Sequence, residues 1–521
     1  MFWVDEISEK IISKYKKNKY LVTDWFTPSG KAHVGSLRGV VVHDLARQAL
    51  CEKGKEAFFQ YGFDDFDPMD GFPYYLPEEY KKYMGMPFSE IPSPDKKYNS
   101  LGEYFAIVFF QEIFNSMGIK PKLVYTSKLY KDGIFNGAIK IILLNADKVR
   151  DLYFSISKSK KDSNWFPLSV KCEKCGKIGT TKVNSYDKSK DKVKYRCEPK
   201  MVEWAEGCNY EGWISPYNGN AKLPWKPEWP SKWYIFKNDV EGEGKDHFVA
   251  GGSREVANAI SRAIFHHEPP FDIRYEHFQI GGKKMSSSKG TGAFAKDIAE
   301  IIPAEILKFL MVRTRPQKTI EFDINGDTIP LLYDEYDRCI DEYLRDPKSD
   351  FGQAYHYSKI SKNNPPKYRL RFSKVVYLIQ MFRTSIEDYA KEEKGSHLTK
   401  DELSELKIRE KYARLWLTKY APENYKFEIQ EKLPKSAENL DKGQKEFLSG
   451  IIKALSEKKW LGDELHAKIH EIKNELKLDP RRAFSAIYLS ILDKDSGPQA
   501  GWLLASLDRD FVVKRFKEVT K

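Results

Sequence analysis

The chain predicts an α/β domain on a parallel sheet, a small cysteine-bearing insertion within it, and an all-α C-terminal third. Three observations carry this. Short apolar runs alternate with segments of helical periodicity in the N-terminal part. Four of the six cysteines fall between Cys172 and Cys208. Past about residue 300, apolar residues recur at intervals of three and four.

The elements follow in order. The N-terminal stretch MFWVDEISEKIISKYKKNKY is charged and amphipathic, and lacks the apolar core and small-residue cleavage site of a secretory leader. Residues 19–24, KYLVTD, read as a buried strand, and Phe26 to Gly30 as a Pro/Gly loop. A helix begins at Leu37 and carries Val40, Val41, Leu45 and Leu50. AFFQYGFDD at 57–65 and KLVYTSKLY at 122–130 are further strands, separated by a Pro- and Tyr-rich connection at 68–98 that is too long for a turn. Residues 158–194 are lysine-dense. LPWKPEWPSKWYIF at 223–236 reads as a Pro/Trp connection back to the α/β domain. GKDHFVAGGSREVANAI reads as strand end, glycine turn and helix, and RYEHFQIGGKKMSSSKG as strand and polar loop. In the C-terminal third, Phe484, Ile487, Ile491 and Leu492 line one helical face, and 361–366 and 392–396 are loops.

The 521 residues exceed one compact core, and 41% hydrophobic content suffices for burial in two to four domains. No apolar run is long enough to span a bilayer, which together with the N-terminus predicts a cytoplasmic protein. Lys and Arg number 87 against 75 Asp and Glu, a net charge of +12 that suits a polyanionic partner such as nucleic acid. Cys51 and Cys339 stand alone and read as small buried residues.

Cys172-Glu-Lys-Cys175-Gly aims two thiolates at one centre, and Cys197 and Cys208 complete a tetrahedral set suited to structural Zn²⁺. The second pair is spaced more widely than usual for such sites. His33-Val34-Gly35-Ser36 lies between a strand and a helix, where free amide donors and a partial positive charge suit a phosphate. Such a turn alone equally fits an ordinary helix start. Lys283-Lys284-Met285-Ser286-Ser287-Ser288-Lys289-Gly290 supplies amines and hydroxyls that match a triphosphate, and alone it equally fits a solvated loop.

Together and in this order, HVGS at 33–36 and KMSSS at 284–288 resemble the HIGH and KMSKS motifs of class I aminoacyl-tRNA synthetases. More narrowly, TPSGKAHVGSLRG, GKDHFVAGGS, YEHFQIGGKKMSSSKG, RPQKTIEFD, LLYDEYDR and PRRAFSAIYLSILDKDSGPQAGWLLASLD resemble the class I lysyl-tRNA synthetases over nearly the whole chain. The resemblance implies a Rossmann-like catalytic domain. It implies ligation of L-lysine to tRNA(Lys) through a lysyl-adenylate, with ATP and Mg²⁺, and no membrane partner. The oligomeric state stays open, a monomer included. By the same resemblance His33 and Lys284 are catalytic, and ATP is held by His33, Gly35, Ser36, Lys284, Met285, Ser286, Ser287 and Ser288. Ser36 stands where the family often has Asn or His, and Ser287 replaces the second motif lysine. A cationic amino acid asks for carboxylates and aromatic rings. Thr27, Trp233, Asp246, His247, Tyr275 and Glu276 sit at or near strand ends beside the motifs, with Glu276 or Asp246 the expected charge partner. Some relatives carry Gly where this chain has Trp25. Some also hold a second zinc with ligands in 93–106, where this chain has Lys97, Tyr98 and Tyr104, so one zinc is expected.

The implied layout is 1–160 and 223–300 as the two catalytic halves, 161–222 as the zinc-binding insertion, 301–360 as a stem-contact region and 361–521 as an anticodon-binding domain. Arg369, Arg371, Trp460 and Trp502 are candidates there for base contacts. The rival readings are a glutamyl-type enzyme of the same class and a catalytically inactive zinc-bearing RNA-binding protein.

Overall fold

The computed structural model describes residues 1–280, 294–361, 363–381 and 385–521, and the backbone of 283–284. Its chain divides into two compact units, Met1–Phe322 with Glu342–Lys362, and Asp323–Asp341 with Asn363–Lys521.

The first unit is α/β. Helix α1 (Trp3–Tyr15) precedes strand β1 (Lys19–Phe26), which pairs in parallel with β2 (Glu56–Phe63), itself parallel to β3 (Lys122–Tyr125). On the other side of β1 the order continues through parallel bridges Val22–Val240 and Val240–Phe271. The reversal of direction beside β1 creates a crevice at the carboxyl ends of the strands, the usual ligand position in an open α/β sheet. Helix α2 (Leu37–Glu52) packs on β1 and β2 and is buried from Leu37 to Ala46, because α1 and the helix Ala304–Val312 cover its other faces.

Two expectations need correction. The strand expected over 122–130 stops at Tyr125, and a helix runs Thr126–Lys131. Asp65, just past the end of β2, causes the switch. Its carboxylate accepts the Ser127 amide at 2.8 Å and the Ser127 hydroxyl at 2.5 Å, which satisfies donors at the new helix start. The Pro/Trp segment at 223–236 is a helix, Trp225–Phe236. Pro227 lies in the first turn, where its missing N–H has no intrahelical partner to lose, and only Pro230 removes a helix bond.

The cysteine-bearing insertion is an antiparallel sheet of Thr181–Asp187, Lys192–Cys197 and Glu211–Ile214. Its neck is closed where Ser169–Val170 pairs with Ala221–Lys222. Where 93–106 lies, Tyr98 and Tyr104 meet edge to face and Ser100 caps the helix Leu101–Ala106.

The second unit is helical around Phe447, Leu448, Ile451, Leu465, Ile487 and Ile491. Ile487, Ile491 and Leu492 are buried as the periodicity predicts, and Phe484 packs against them. Capping boxes Thr399/Glu402 and Asp441/Gln444 start two of its helices. The loop expected at 392–396 begins only at Gly395, whose φ of +73° ends the helix Ile386–Lys394. Cys339 is buried as expected, whereas Cys51 is exposed at the end of α2.

Candidate active site

Two cavities open at the carboxyl ends of the strands and share part of their walls. The first, about 330 Å³, lies where β1 runs into the His33 turn. His33, Gly35 and Ser36 line it, with Thr27, Asp246, His247, Tyr275 and Glu276. The Ser36 hydroxyl lies 3.4 Å from His33 Nδ1, and the imidazole covers Gly35 so closely that a Cβ there would sit 3.0 Å from the ring. Ala295 N–H donates to the Ala32 carbonyl at 2.8 Å, and His33 forms a bridge with Phe294. The chain leaving the serine-rich segment therefore returns to the turn that begins the site. Lys284 is known through its backbone, which pairs with Gln279. Met285, Ser286, Ser287 and Ser288 lie outside the described residues.

Trp233 is not part of this wall. It is fully buried one layer behind, and its indole N–H donates to Glu241 at 2.7 Å. Glu241 also accepts from Trp229, Thr23 and Asn238, which makes it a hub fixing the helix Trp225–Phe236 to the sheet. The two expected charge partners already have side-chain neighbours. Glu276 pairs with Lys245, and Asp246 lies 3.3 Å from His277.

Glu243, not anticipated from the sequence, borders both cavities. Burial, with Asp24 and Glu241 adding repulsion, raises its pKa well above the ordinary carboxyl value. Burial likewise lowers the pKa of His247, favouring a neutral ring. Asp24 lies 3.4 Å from His43, which is neutral with its proton on Nδ1: that atom donates to Gly39 carbonyl, and Nε2 accepts from Gly242 N–H, both at 2.7 Å.

The second cavity, about 590 Å³, lies towards the insertion and shares Trp25, Thr27, Glu243 and His247 with the first. Trp225 and Trp229 stack at 5.6 Å and both meet His247 edge-on. Its floor is a buried ionic cluster. Lys222 reaches Asp67 at 2.9 Å and Glu228 at 2.6 Å, and Lys232 pairs with Asp64 and, at 3.4 Å, Glu228. Burial works against ionisation of Glu228, but the two lysines outweigh it and lower its pKa. At Asp64 burial wins over Lys232 and lifts the pKa to about 7. Thr27 donates to Asp67 at 2.7 Å, linking the cluster to the end of β1. Trp25 lies over Lys232 Nζ at 4.0 Å and against Gly62, its partner across the sheet. A Cβ at Gly62 would be 1.9 Å from that indole.

The four cysteine sulfurs lie within 4.8 Å of one another. Cys197 and Cys208 converge despite their spacing because the chain folds back on itself. Cys197 N–H donates to Tyr210 carbonyl and Asn209 N–H to Cys197 carbonyl, both at 2.8 Å. Gly207 passes so near Glu198 that a Cβ would be 2.3 Å from its carbonyl oxygen.

A family profile for tRNA synthetases class I (K) matches residues 1–363. A Methanosarcina barkeri protein named "Lysine--tRNA ligase" is 34% identical, the alignment covering 99% of this chain and 97% of that one. Proteins of the same name from Methanocaldococcus jannaschii and Thermoplasma volcanium are 34% and 32% identical, covering 99% and 100% of this chain and 99% of each relative. With His33, Gly35 and Ser36 at the crevice of a parallel sheet, these matches establish that the chain belongs to the class I (K) tRNA synthetase family.

Proposed function

We propose that this protein activates L-lysine with ATP and transfers it to tRNA(Lys). The observation that carries the assignment of substrate positions is Glu243. Its carboxylate has no ion-pair partner among the described residues, and it borders both the cavity of the His33 turn and the larger one beside it. ATP occupies the first cavity, with His33 and Ser36 against its phosphates and Lys284 offsetting charge on the pentavalent phosphorus. Lysine lies at the junction, its ammonium facing Glu243 and its aliphatic stem against Trp225, Trp229 and His247. Glu276 and Asp246 hold Lys245 and His277 instead and shape the rim.

No enzyme nucleophile is required. The lysine carboxylate attacks the α-phosphorus, forming the P–O bond as the bond to pyrophosphate breaks. The terminal ribose 2′-OH of the tRNA then takes the acyl group and AMP leaves. The residues named serve by positioning and by charge. Mg²⁺ bound with ATP would supply further neutralisation of the phosphates.

Cys172, Cys175, Cys197 and Cys208 fit a structural Zn²⁺, since four sulfurs this close around one point match its tetrahedral preference. The helical unit receives the anticodon region. Arg371 and Trp502 line a cavity of about 350 Å³ there with Tyr377, Tyr425 and Asn424, a surface suited to an unpaired base. All four candidates have partners: Arg369 pairs with Asp337 and Asp341 and Arg371 with Asp334, while the Trp460 indole donates to the Ala454 carbonyl and that of Trp502 to Asp463. No described helix is long and apolar enough to cross a membrane.

The test is ATP–pyrophosphate exchange and aminoacylation of tRNA(Lys), with lysine and glutamate compared and tRNA present. Lysine-dependent activity supports the assignment. Activity with glutamate alone points to the glutamyl-type reaction, and none with either to an inactive RNA-binding chain.

A further inference from the structure

Arg38 is the second residue of α2, just after the His33 turn, and it is 1% exposed. A guanidinium this deep normally meets a carboxylate. Among the described residues this one meets only carbonyls. Nη1 donates to Glu276 at 2.9 Å and His277 at 3.2 Å, and Nη2 to Arg315 at 3.0 Å, Pro316 at 3.2 Å and Lys318 at 2.7 Å.

The five acceptors belong to two segments. Glu276 and His277 lead into the strand Phe278–Ile280, and Arg315, Pro316 and Lys318 lead into Ile320–Phe322. These strands pair in parallel, Phe278 with Ile320 and Ile280 with Phe322, and the first also pairs antiparallel with Lys283–Lys284. One side chain of α2 thus holds the root of the strand that pairs with the Lys284 backbone and the root of the strand on that strand's other side. Resting on the function proposed above, we propose that Arg38 is a positioning residue, which sets Lys284 against the His33 turn so that both reach one ATP.

The planar fork is essential to this role. It directs donors to two segments at once, whereas a lysine ammonium gathers three donors at one point. Arg38→Lys is therefore the informative variant, examined in the full chain by lysine-dependent ATP–pyrophosphate exchange alongside thermal melting. The expected result is a kcat lower by about 100-fold, the scale of an ångström-sized misplacement, with the KM for lysine within about twofold. Methylguanidinium should restore part of the rate of folded Arg38→Ala, which a purely structural role would not predict.

A kcat for Arg38→Lys within about threefold of the unmodified chain overturns the proposal. So does failure of that variant to fold, or absence of rescue in folded Arg38→Ala. If the unmodified chain shows no lysine-dependent exchange, the assigned reaction falls and takes the clamp with it. Exchange by the unmodified chain with kcat unchanged in Arg38→Lys removes the clamp alone.

Discussion

In the helical unit Arg409 is fully buried, donating to both oxygens of Asp337, to Glu405 at 2.7 Å and to the Leu370 carbonyl at 3.1 Å, while Arg369 also contacts Asp337. Around the larger cavity of the first unit, Lys222 and Lys232 are almost as buried, but they face Asp64, Asp67 and Glu228, with Glu243 on the same wall. The first cluster is closed: its two guanidiniums meet Asp337, Glu405 and, through Arg369, the more exposed Asp341, with no cavity beside them among the described residues. The second has two cations for four carboxylates and opens onto a cavity. A buried ion-pair network away from any cavity serves the fold. A cluster with more carboxylates than cations beside a cavity has room for a proton or a cationic ligand, and burial above all holds Asp64 and Glu243 above the ordinary carboxyl range.

The comparison breaks most visibly at its closed side. Arg409→Met should destabilise the helical unit by about 3–5 kcal/mol, since Asp337 and Glu405 lose their main partner, and leave lysine-dependent exchange by folded protein unchanged. Chemical denaturation and an exchange assay measure both. Equal loss of activity per folded molecule would contradict the division of roles. Lys284→Ala should slow adenylate formation by about 10²–10³-fold with lysine affinity preserved, read by exchange kinetics and equilibrium binding.

The open side predicts a pH effect. The Asp64 carboxyl titrates near 7 folded and near 4 unfolded, so below about pH 4 it is protonated in both states and contributes nothing to the pH dependence. Between about 4 and 7 the folded state holds the extra proton, and stability falls as pH rises. Asp64→Asn should therefore gain on the unmodified chain by about 3 kcal/mol from pH 4 to 7, measured by denaturation at several pH values. An unchanged difference would mean that Lys232 fully compensates the carboxylate. The smallest effect is sharpest for the ligand: Glu243→Gln should raise the KM for lysine about tenfold with kcat nearly constant, for loss of a partly screened ion pair. In the insertion, Cys172→Ser should lower zinc content, measured by elemental analysis; an unchanged content would exclude that sulfur as a ligand.

What could be read from sequence follows the range of the interaction. β1, the His33 turn and α2 are legible because an apolar run, Pro/Gly punctuation and helical spacing lie within some thirty residues, from Lys19 to Leu50. The end of β3 is not, since Asp65 stops it from across the sheet. The Trp225–Phe236 helix is masked by prolines whose cost depends on their position in the turn. At the site, Thr27, Asp246, His247, Tyr275 and Glu276 are found beside the motif residues, as strand-end logic expects. Glu243, Lys222 and Asp64 come from separate segments and converge only in three dimensions. The available local hint was the Glu228/Lys232 spacing of four residues, visible once that segment is recognised as helical.

Trp25 and Gly62 carry a consequence for how this pocket can change over time. Because a methyl group at 62 would fall inside the indole, Gly62→Ala is excluded while Trp25 is present. Trp25→Gly would open the wall of both cavities, uncover Lys232 and at the same time make position 62 permissive. The order of substitution therefore matters: one sequence of two steps is passable and the reverse is blocked. The pair acts as a ratchet on the shape of the pocket, and each further residue accepted at 62 makes a return of the indole harder.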